Sequence, residues 1–214
     1  MRKKKWLIED TNMRNIGVLA LQGAFKEHIK IIKSLGHNAI EIRNADQLEG
    51  IDGIILPGGE STTMGKLLVD FNMKDILKSK IKNGFPVWGT CAGLILLAKE
   101  IEGYEHSHLS VMNIKVKRNA YGRQLDSFIT NEKIPKVSEK EIPLVFIRAP
   151  YIVETAENVE IIHKLEGNIV AARQDNMLAT SFHPELTNNT CFHEYFIKMM
   201  GVPVENSKKC VSSF

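Results

Sequence analysis

The sequence predicts an α/β domain: a doubly wound, mostly parallel β-sheet flanked by helices, with extra antiparallel strands in its C-terminal half. Three observations carry this prediction. Short apolar runs alternate with amphipathic stretches through the N-terminal half of the chain, the pattern of βαβ units around a parallel sheet. The joints between them are brief and rich in glycine, at Gln22-Gly23, at Pro57-Gly58-Gly59 and at Gly89-Thr90-Cys91-Ala92-Gly93. After about residue 104 the texture changes to short runs of alternating polarity, as in half-exposed strands.

Residues 1–14 read as an appended arm, either flexible or added to the natural chain, with Met13 an alternative start. The run 16–21 reads as a buried parallel strand. A helix follows from Gln22-Gly23 to about Leu35, with Phe25, Ile29, Ile32 and Leu35 near helical spacing and Gly36 as its stop. Strands are expected at 38–42 and 53–56, and helices at about 62–70 and 73–82, with Gly84 ending the second. Pro86-Val87-Trp88 begins a central strand that turns sharply and leaves as an apolar helix through Ala98. Further short strands are expected at 113–118, 126–129, 144–148, 159–163, 169–173 and 178–182, with 131–141 as a polar loop. A helix at 190–200, carrying Phe192, Tyr195, Phe196 and Met199 on one side, closes a single domain that spans 15–201. Residues 202–214 are a tail. In a sheet of this kind the site lies beyond the carboxyl ends of the strands, where Pro57-Gly58-Gly59 and Cys91 both fall.

Composition excludes several classes. The chain has 214 residues, 43% of them apolar, with a net charge of +3. That is enough for one full core and too little charge for a dedicated nucleic-acid binder. Lys3, Lys4 and Lys5 are a solvated basic run. Three cysteines (Cys91, Cys191 and Cys210) and no CxxC pair argue against a disulfide framework and against a zinc site. A reducing cytoplasm is expected, without a signal peptide, a membrane span, a metal or a cofactor. His28, His37, His163 and His193 show no paired ligand spacing, and His106-x-His108 reads as a loop. Cys191-x-His193 and Trp88 read as packing.

The chemistry concentrates in three stretches. Gly89 and Gly93 let the chain bend around Thr90-Cys91-Ala92, the thiol counterpart of a nucleophile elbow. Cys91 then sits at a helix N-terminus, where the dipole favours thiolate; the rival reading is a buried cysteine at a strand–helix junction. In Thr180-Ser181-Phe182-His183-Pro184-Glu185-Leu186, Pro184 biases His183 to extended backbone, in which residues two apart point the same way. His183 and Glu185 can therefore face one site. A lone His-Pro-Glu is a weak signal, but with the elbow it supplies the thiol, imidazole and carboxylate of a Cys-His-acid triad. Gly58 and Gly59 can aim N–H groups that, with the N–H of Ala92, form an oxyanion hole. A phosphate cradle is the alternative, although neither GxxxxGK[ST] nor GxGxxG is present.

Together these stretches resemble the class I, triad-type glutamine amidotransferases, and among them the glutaminase subunits of pyridoxal 5'-phosphate synthases. The likeness rests on Leu19-Ala20-Leu21-Gln22-Gly23-Ala24, Leu56-Pro57-Gly58-Gly59-Glu60-Ser61-Thr62-Thr63-Met64, Gly89-Thr90-Cys91-Ala92-Gly93 and Ser181-Phe182-His183-Pro184-Glu185-Leu186-Thr187. Two runs separate these subunits from other triad amidotransferases: Arg118-Asn119-Ala120-Tyr121-Gly122-Arg123-Gln124-Leu125-Asp126-Ser127-Phe128 and Phe146-Ile147-Arg148-Ala149-Pro150. The resemblance covers about residues 16–200. It implies a flavodoxin-like sheet and hydrolysis of L-glutamine to glutamate and ammonia, with the ammonia passed to a separate synthase subunit in a heteromeric complex for vitamin B6 biosynthesis. By motif position it implies Cys91 as nucleophile, His183 and Glu185 as the rest of the triad, and Gly59, Glu60, Ser61, Arg118, Ile147 and Arg148 around the substrate. The chemistry agrees, because arginine binds an α-carboxylate well and Glu60 can accept an α-ammonium. The alternatives are the glutaminase of another amidotransferase, a triad hydrolase of the same superfamily, and a non-catalytic docking partner, against which the complete triad counts.

Overall fold

Residues 13–118 and 127–201 are described by the computed structural model. In chain order the first half contains β1 (Asn15–Leu19), α1 (Phe25–Ser34), β2 (Asn38–Ile42), β3 (Gly53–Leu56), α2 (Ser61–Asp70), α3 (Lys74–Lys82), β4 (Val87–Thr90), α4 (Ala92–Leu97) and β5 (Ala98–Ile101). The second half contains β6 (Met112–Lys117), β7 (Ser127–Ile134), β8 (Ser138–Ile147), β9 (Tyr151–Thr155), β10 (Glu160–Leu165), β11 (Asn168–Gln174), β12 (Met177–Thr180) and α5 (Cys191–Met199). The N-terminal arm through residue 12, the motif residues Asn119 to Asp126 and the tail 202–214 lie outside the described residues.

The sheet runs β2-β1-β3-β4-β12-β11-β9-β6-β5, with β10 paired to β11. From β2 to β12 every pairing is parallel, and antiparallel pairs follow from β12 through β11 and β9 to β6. Every residue of β3 and β4 is buried, as helices on both faces require. Alternation along β3 sends Ile54 and Leu56 into one core, with Met64, Leu77 and Leu94. It sends Ile55 into the other, with Trp88, Phe182, Phe192 and Phe196. Among the described residues no helix is long and apolar enough to cross a membrane.

Three expectations need correction. The apolar helix after the elbow stops at Leu97, and the chain continues as β5. The strand β9 has no counterpart among the expected elements. The polar loop expected at 131–141 is instead most of an antiparallel ribbon, in which β7 and β8 pair from Ser127↔Ile147 to Ile134↔Ser138. Its charged residues, such as Glu139, Lys140 and Glu141, are exposed, while Ile134, Ile142, Leu144 and Phe146 are buried. A two-stranded ribbon has most of its surface in water, so its composition is that of a loop even though its side chains alternate like those of a strand.

Candidate active site

Four parallel strands release their loops at one edge of the sheet. The turn after β1 carries Gln22 and Gly23, the loop after β3 carries Pro57 to Glu60, β4 leads to Cys91, and β12 leads to His183. They enclose a cleft of about 450 Å³. Cys91, Ala92, His183, Gly58, Gly59, Glu60, Ser61, Arg118, Ile147 and Arg148 all line it, as does Gln22. Of the residues assigned from the sequence only Glu185 is not on its wall; it stands behind His183.

The elbow is strained. Cys91 has φ 48° and ψ −101°, a left-handed backbone that side chains rarely adopt and that costs about 1–3 kcal/mol. Its N–H donates to the Thr180 carbonyl at 2.8 Å, tying the turn to β12. The helix after it presses against β3: a Cβ on Gly93 would lie 1.9 Å from the Leu56 carbonyl oxygen, so only glycine fits there. Cys91 is 8% exposed, and its Sγ lies 4.0 Å from the Ile147 carbonyl oxygen.

His183 is aimed differently from the extended-chain expectation. His183 has φ −106° and ψ 84°, and Pro184–Leu186 forms a single 3-10 turn with proline in its first position, where its missing N–H is no loss. The turn, rather than an extended chain, folds Glu185 back, so that the His183 Nδ1–H donates to its Oε1 at 2.7 Å. The His183 backbone N–H donates to the Val145 carbonyl at 2.8 Å, so the ribbon holds His183 in place. Gly58 packs directly on the ring, and a Cβ there would lie 2.3 Å from His183 Cε1. Burial alone would push the imidazolium pKa down. Hydrogen bonds to Cys91 and Glu185, and the charges of both, outweigh it and raise the pKa to about 10.

On the substrate side, Glu60 caps α2, accepting from the N–H groups of Thr62 and Thr63 at 3.1 and 2.6 Å. Partial burial pushes its pKa up, but those amide bonds prevail and hold it at about 2. Arg118 donates to Glu60 Oε1 at 3.1 Å and to Thr62 Oγ1 at 3.2 Å, and its guanidinium lies over the Tyr104 ring. Ser61 Oγ is buried and has no hydrogen-bond partner among the described residues. Arg148 is exposed and has φ 42°.

Sequence reasoning missed what lies behind Glu185. His28 of α1 approaches Glu185 Oε2 at 3.4 Å, and its Nδ1 meets His193 Nε2 of α5 at 2.9 Å. Both histidines are buried, at 0% and 1% exposure. A signal was present, since each sits on the apolar face of its helix, beside Ile32 and Phe196 respectively. Their pairing spans 165 residues of sequence and has no local trace.

A doubly wound sheet with a thiol elbow after β4 and an imidazole–carboxylate pair after β12 is the architecture of the triad glutamine amidotransferases that the motifs resemble. The model of the SNO glutamine amidotransferase family matches residues 18–202, and the chain belongs to that family. It is 56% identical over 183 residues to pyridoxal 5'-phosphate synthase subunit PdxT of Clostridium beijerinckii, covering 86% of this chain and 96% of that one. Against the subunit of the same name from Ruminiclostridium cellulolyticum it is 55% identical, over 88% of this chain and 100% of the other. A crystal structure of a glutamine amidotransferase superposes with a TM-score of 0.83 at 44% identity, covering 87% of this chain and 99% of that one.

Proposed function

We propose that the chain is the glutaminase subunit of a pyridoxal 5'-phosphate synthase, a cytoplasmic enzyme that hydrolyses L-glutamine to L-glutamate and passes the ammonia to a synthase subunit. The activity is assigned to residues 15–201, and the arms 1–14 and 202–214 receive no role. The observation that carries this reading is the His183–Glu185 pair, with His183 on the wall of the same cleft as the Cys91 thiol, rimmed by Arg118 and Arg148. The name of the relatives, matched over nearly their whole length, supports the choice of partner.

In this mechanism the Cys91 thiolate attacks the side-chain amide carbon of glutamine, and the charge that develops on oxygen is met by N–H groups of Ala92 and the Gly58-Gly59 loop. The His183 imidazolium gives its proton to the nitrogen, the amide C–N bond breaks, ammonia leaves, and a γ-glutamyl thioester remains on Cys91. Neutral His183 then takes a proton from water, the hydroxide adds to the thioester, and glutamate leaves as the thiolate–imidazolium pair returns. Glu185 holds the Nδ1–H tautomer and balances the imidazolium charge. The unpartnered Ser61 hydroxyl, the Arg118 and Arg148 guanidiniums and the Glu60 carboxylate grip the α-amino and α-carboxylate end. The test is glutamate release from glutamine with the synthase subunit present, by wild type and Cys91→Ser. Loss of turnover and of the trapped thioester in the variant is expected; near-normal turnover would remove Cys91 from the reaction.

A further inference from the structure

We propose that His28 and His193 are positioning residues for the glutaminase reaction: an ordered line of ring N–H groups running from α5 through α1 holds the second oxygen of Glu185, and through it the orientation of His183. The proposal rests on the triad reading above. Glu185 is fully buried in its side chain, and Oε1 is taken by His183 at 2.7 Å. Its Oε2 has no close hydrogen bond among the described residues, yet His28 Nε2 lies 3.4 Å away. Contacts of this kind are often long in an unliganded site and tighten when substrate binds.

The two imidazoles have only one arrangement that suits this neighbourhood. A neutral ring carries one N–H and one lone pair. If His28 carries its proton on Nε2, that N–H is directed at the Thr90 hydroxyl at 3.4 Å, with Glu185 Oε2 beside it at the same distance but outside hydrogen-bond geometry. Nδ1 is then an acceptor and must receive the Nε2–H of His193 across 2.9 Å. The one atom left unpaired is His193 Nδ1, an acceptor. The opposite tautomers would set a lone pair against a carboxylate oxygen and bury an orphaned N–H, which costs more. The carboxylate thus dictates the proton position on His28, and His28 dictates it on His193.

Packing keeps the line in place and uncharged. Trp88 of β4 meets the His28 ring edge-on at 5.7 Å and the His193 ring at 4.9 Å. Burial first, then the neighbouring charge of His193 and His183, holds His28 well below the usual imidazole range, and burial takes His193 to about 3. The titratable groups facing Glu185 are His183 across the turn and His28 from α1, with His193 of α5 behind His28; β4 contributes Thr90 and Trp88. A second cleft of about 390 Å³ reaches Glu185 from the other side, with Glu27 and Lys30 of opposite charge on its wall. Both histidines therefore stay neutral beside Glu185.

The test uses the full chain in complex with its synthase. In His28→Gln the amide nitrogen occupies the place of Nε2 and restores a donor to Glu185; in His28→Asn it reaches only the place of Nδ1. His28→Asn is expected to lower kcat by about ten- to a hundred-fold, the scale found when groups that orient a functional histidine are removed elsewhere. Its KM should stay nearly unchanged, the alkaline limb of its pH–rate profile should move to lower pH, and His28→Gln should recover most of both. Wild-type kcat and pH profile in His28→Asn, or equal loss in both variants with an unmoved profile, overturns the proposal. Cys91→Ser in the same assay separates the two readings: if it remains active, the triad falls first. Should the variants fail to fold, ring ¹⁵N shifts of the wild-type complex decide the question. Nε2–H tautomers at both His28 and His193 at neutral pH are expected, and an Nδ1–H tautomer or a charged ring at His28 overturns the line.

Discussion

At the scale of single residues, buried imidazoles give the molecule opposite responses to acid and base. His183 is raised from the usual 6.5 to about 10, so its contribution to stability is complete below 6.5 and is lost as pH rises through 10. Turnover that begins from its imidazolium should decline over the same alkaline range. His193 is lowered to about 3, so the unfolded chain binds a proton that the folded chain refuses, and stability falls as pH drops from 6.5 toward 3. Denaturant midpoints between pH 7 and 5 should therefore fall in wild type and fall less in His193→Gln; equal slopes would mean that His193 is not a buried neutral group. The arginines answer to a different measurement. Arg118→Ala and Arg148→Ala each remove a charge-assisted contact, worth about 1.5–3 kcal/mol, or roughly ten- to a hundred-fold in binding. A raised KM with a smaller change in kcat is expected, and wild-type kcat/KM in both would place them outside the substrate pocket. That Cys91 and His183 would share one cleft, with Glu185 against His183, was legible because thiol, imidazole and carboxylate stand in short, recognisable motifs. The contact between His28 and His193 was not, because a histidine on an apolar helix face has the same spacing whatever it meets across the core.

At the scale of elements, Glu60 joins a helix to the cleft proposed to hold glutamine. It caps α2 while pairing with Arg118. Glu60→Ala should lower stability by about 1 kcal/mol through loss of the cap and raise KM for glutamine. Glu60→Asn, also a good cap, should return Tm to near wild type while KM stays high; if it restores KM as well, the charge of Glu60 has no part in binding. The loop after β3 permits a sharper substitution. Gly58→Ala puts a methyl where the His183 ring stands, so kcat should drop steeply while the circular dichroism spectrum is preserved; an active Gly58→Ala would mean that the ring is free to move. The parallel strands were readable from unbroken apolar runs, since burial on both faces forces them. The β7–β8 ribbon was not, because its outward-facing charges outnumber the inward side chains that make it a strand. The turn at Pro184 was misread for a local reason: proline excludes a helix interior but is at home in the first position of a short turn.

At the scale of the whole molecule, the β1–α1 turn and the glycine loop are coupled. The Ala24 N–H donates to the Gly58 carbonyl at 3.0 Å, and the Glu60 N–H donates to Gln22 Oε1 at 2.7 Å. A protein that docks on Gln22-Gly23 therefore acts on the backbone that the proposed mechanism needs for N–H groups to the oxyanion. Two orientations of Gly58-Gly59 are sterically cheap, and a partner that binds the competent one better shifts the population toward it. Because one missing oxyanion donor costs about a hundred- to a thousand-fold in kcat, the isolated chain should be a poor glutaminase that saturating synthase activates on that scale. Equal kcat alone and in the complex would refute the coupling.

The central position of β12, between β4 and β11, also dictates when the protein becomes an enzyme. During synthesis β1 to β4 can assemble as soon as they emerge, but their outer edge stays open until a strand from near the chain's far end arrives. At common elongation rates that interval is about 4–18 s, and over it the edge of β4 is an unpaired template for other chains. The imidazole follows directly after β12, so no nascent fragment that ends before it can activate the thiol. A product truncated before β12 would therefore be an aggregation hazard rather than a weak hydrolase.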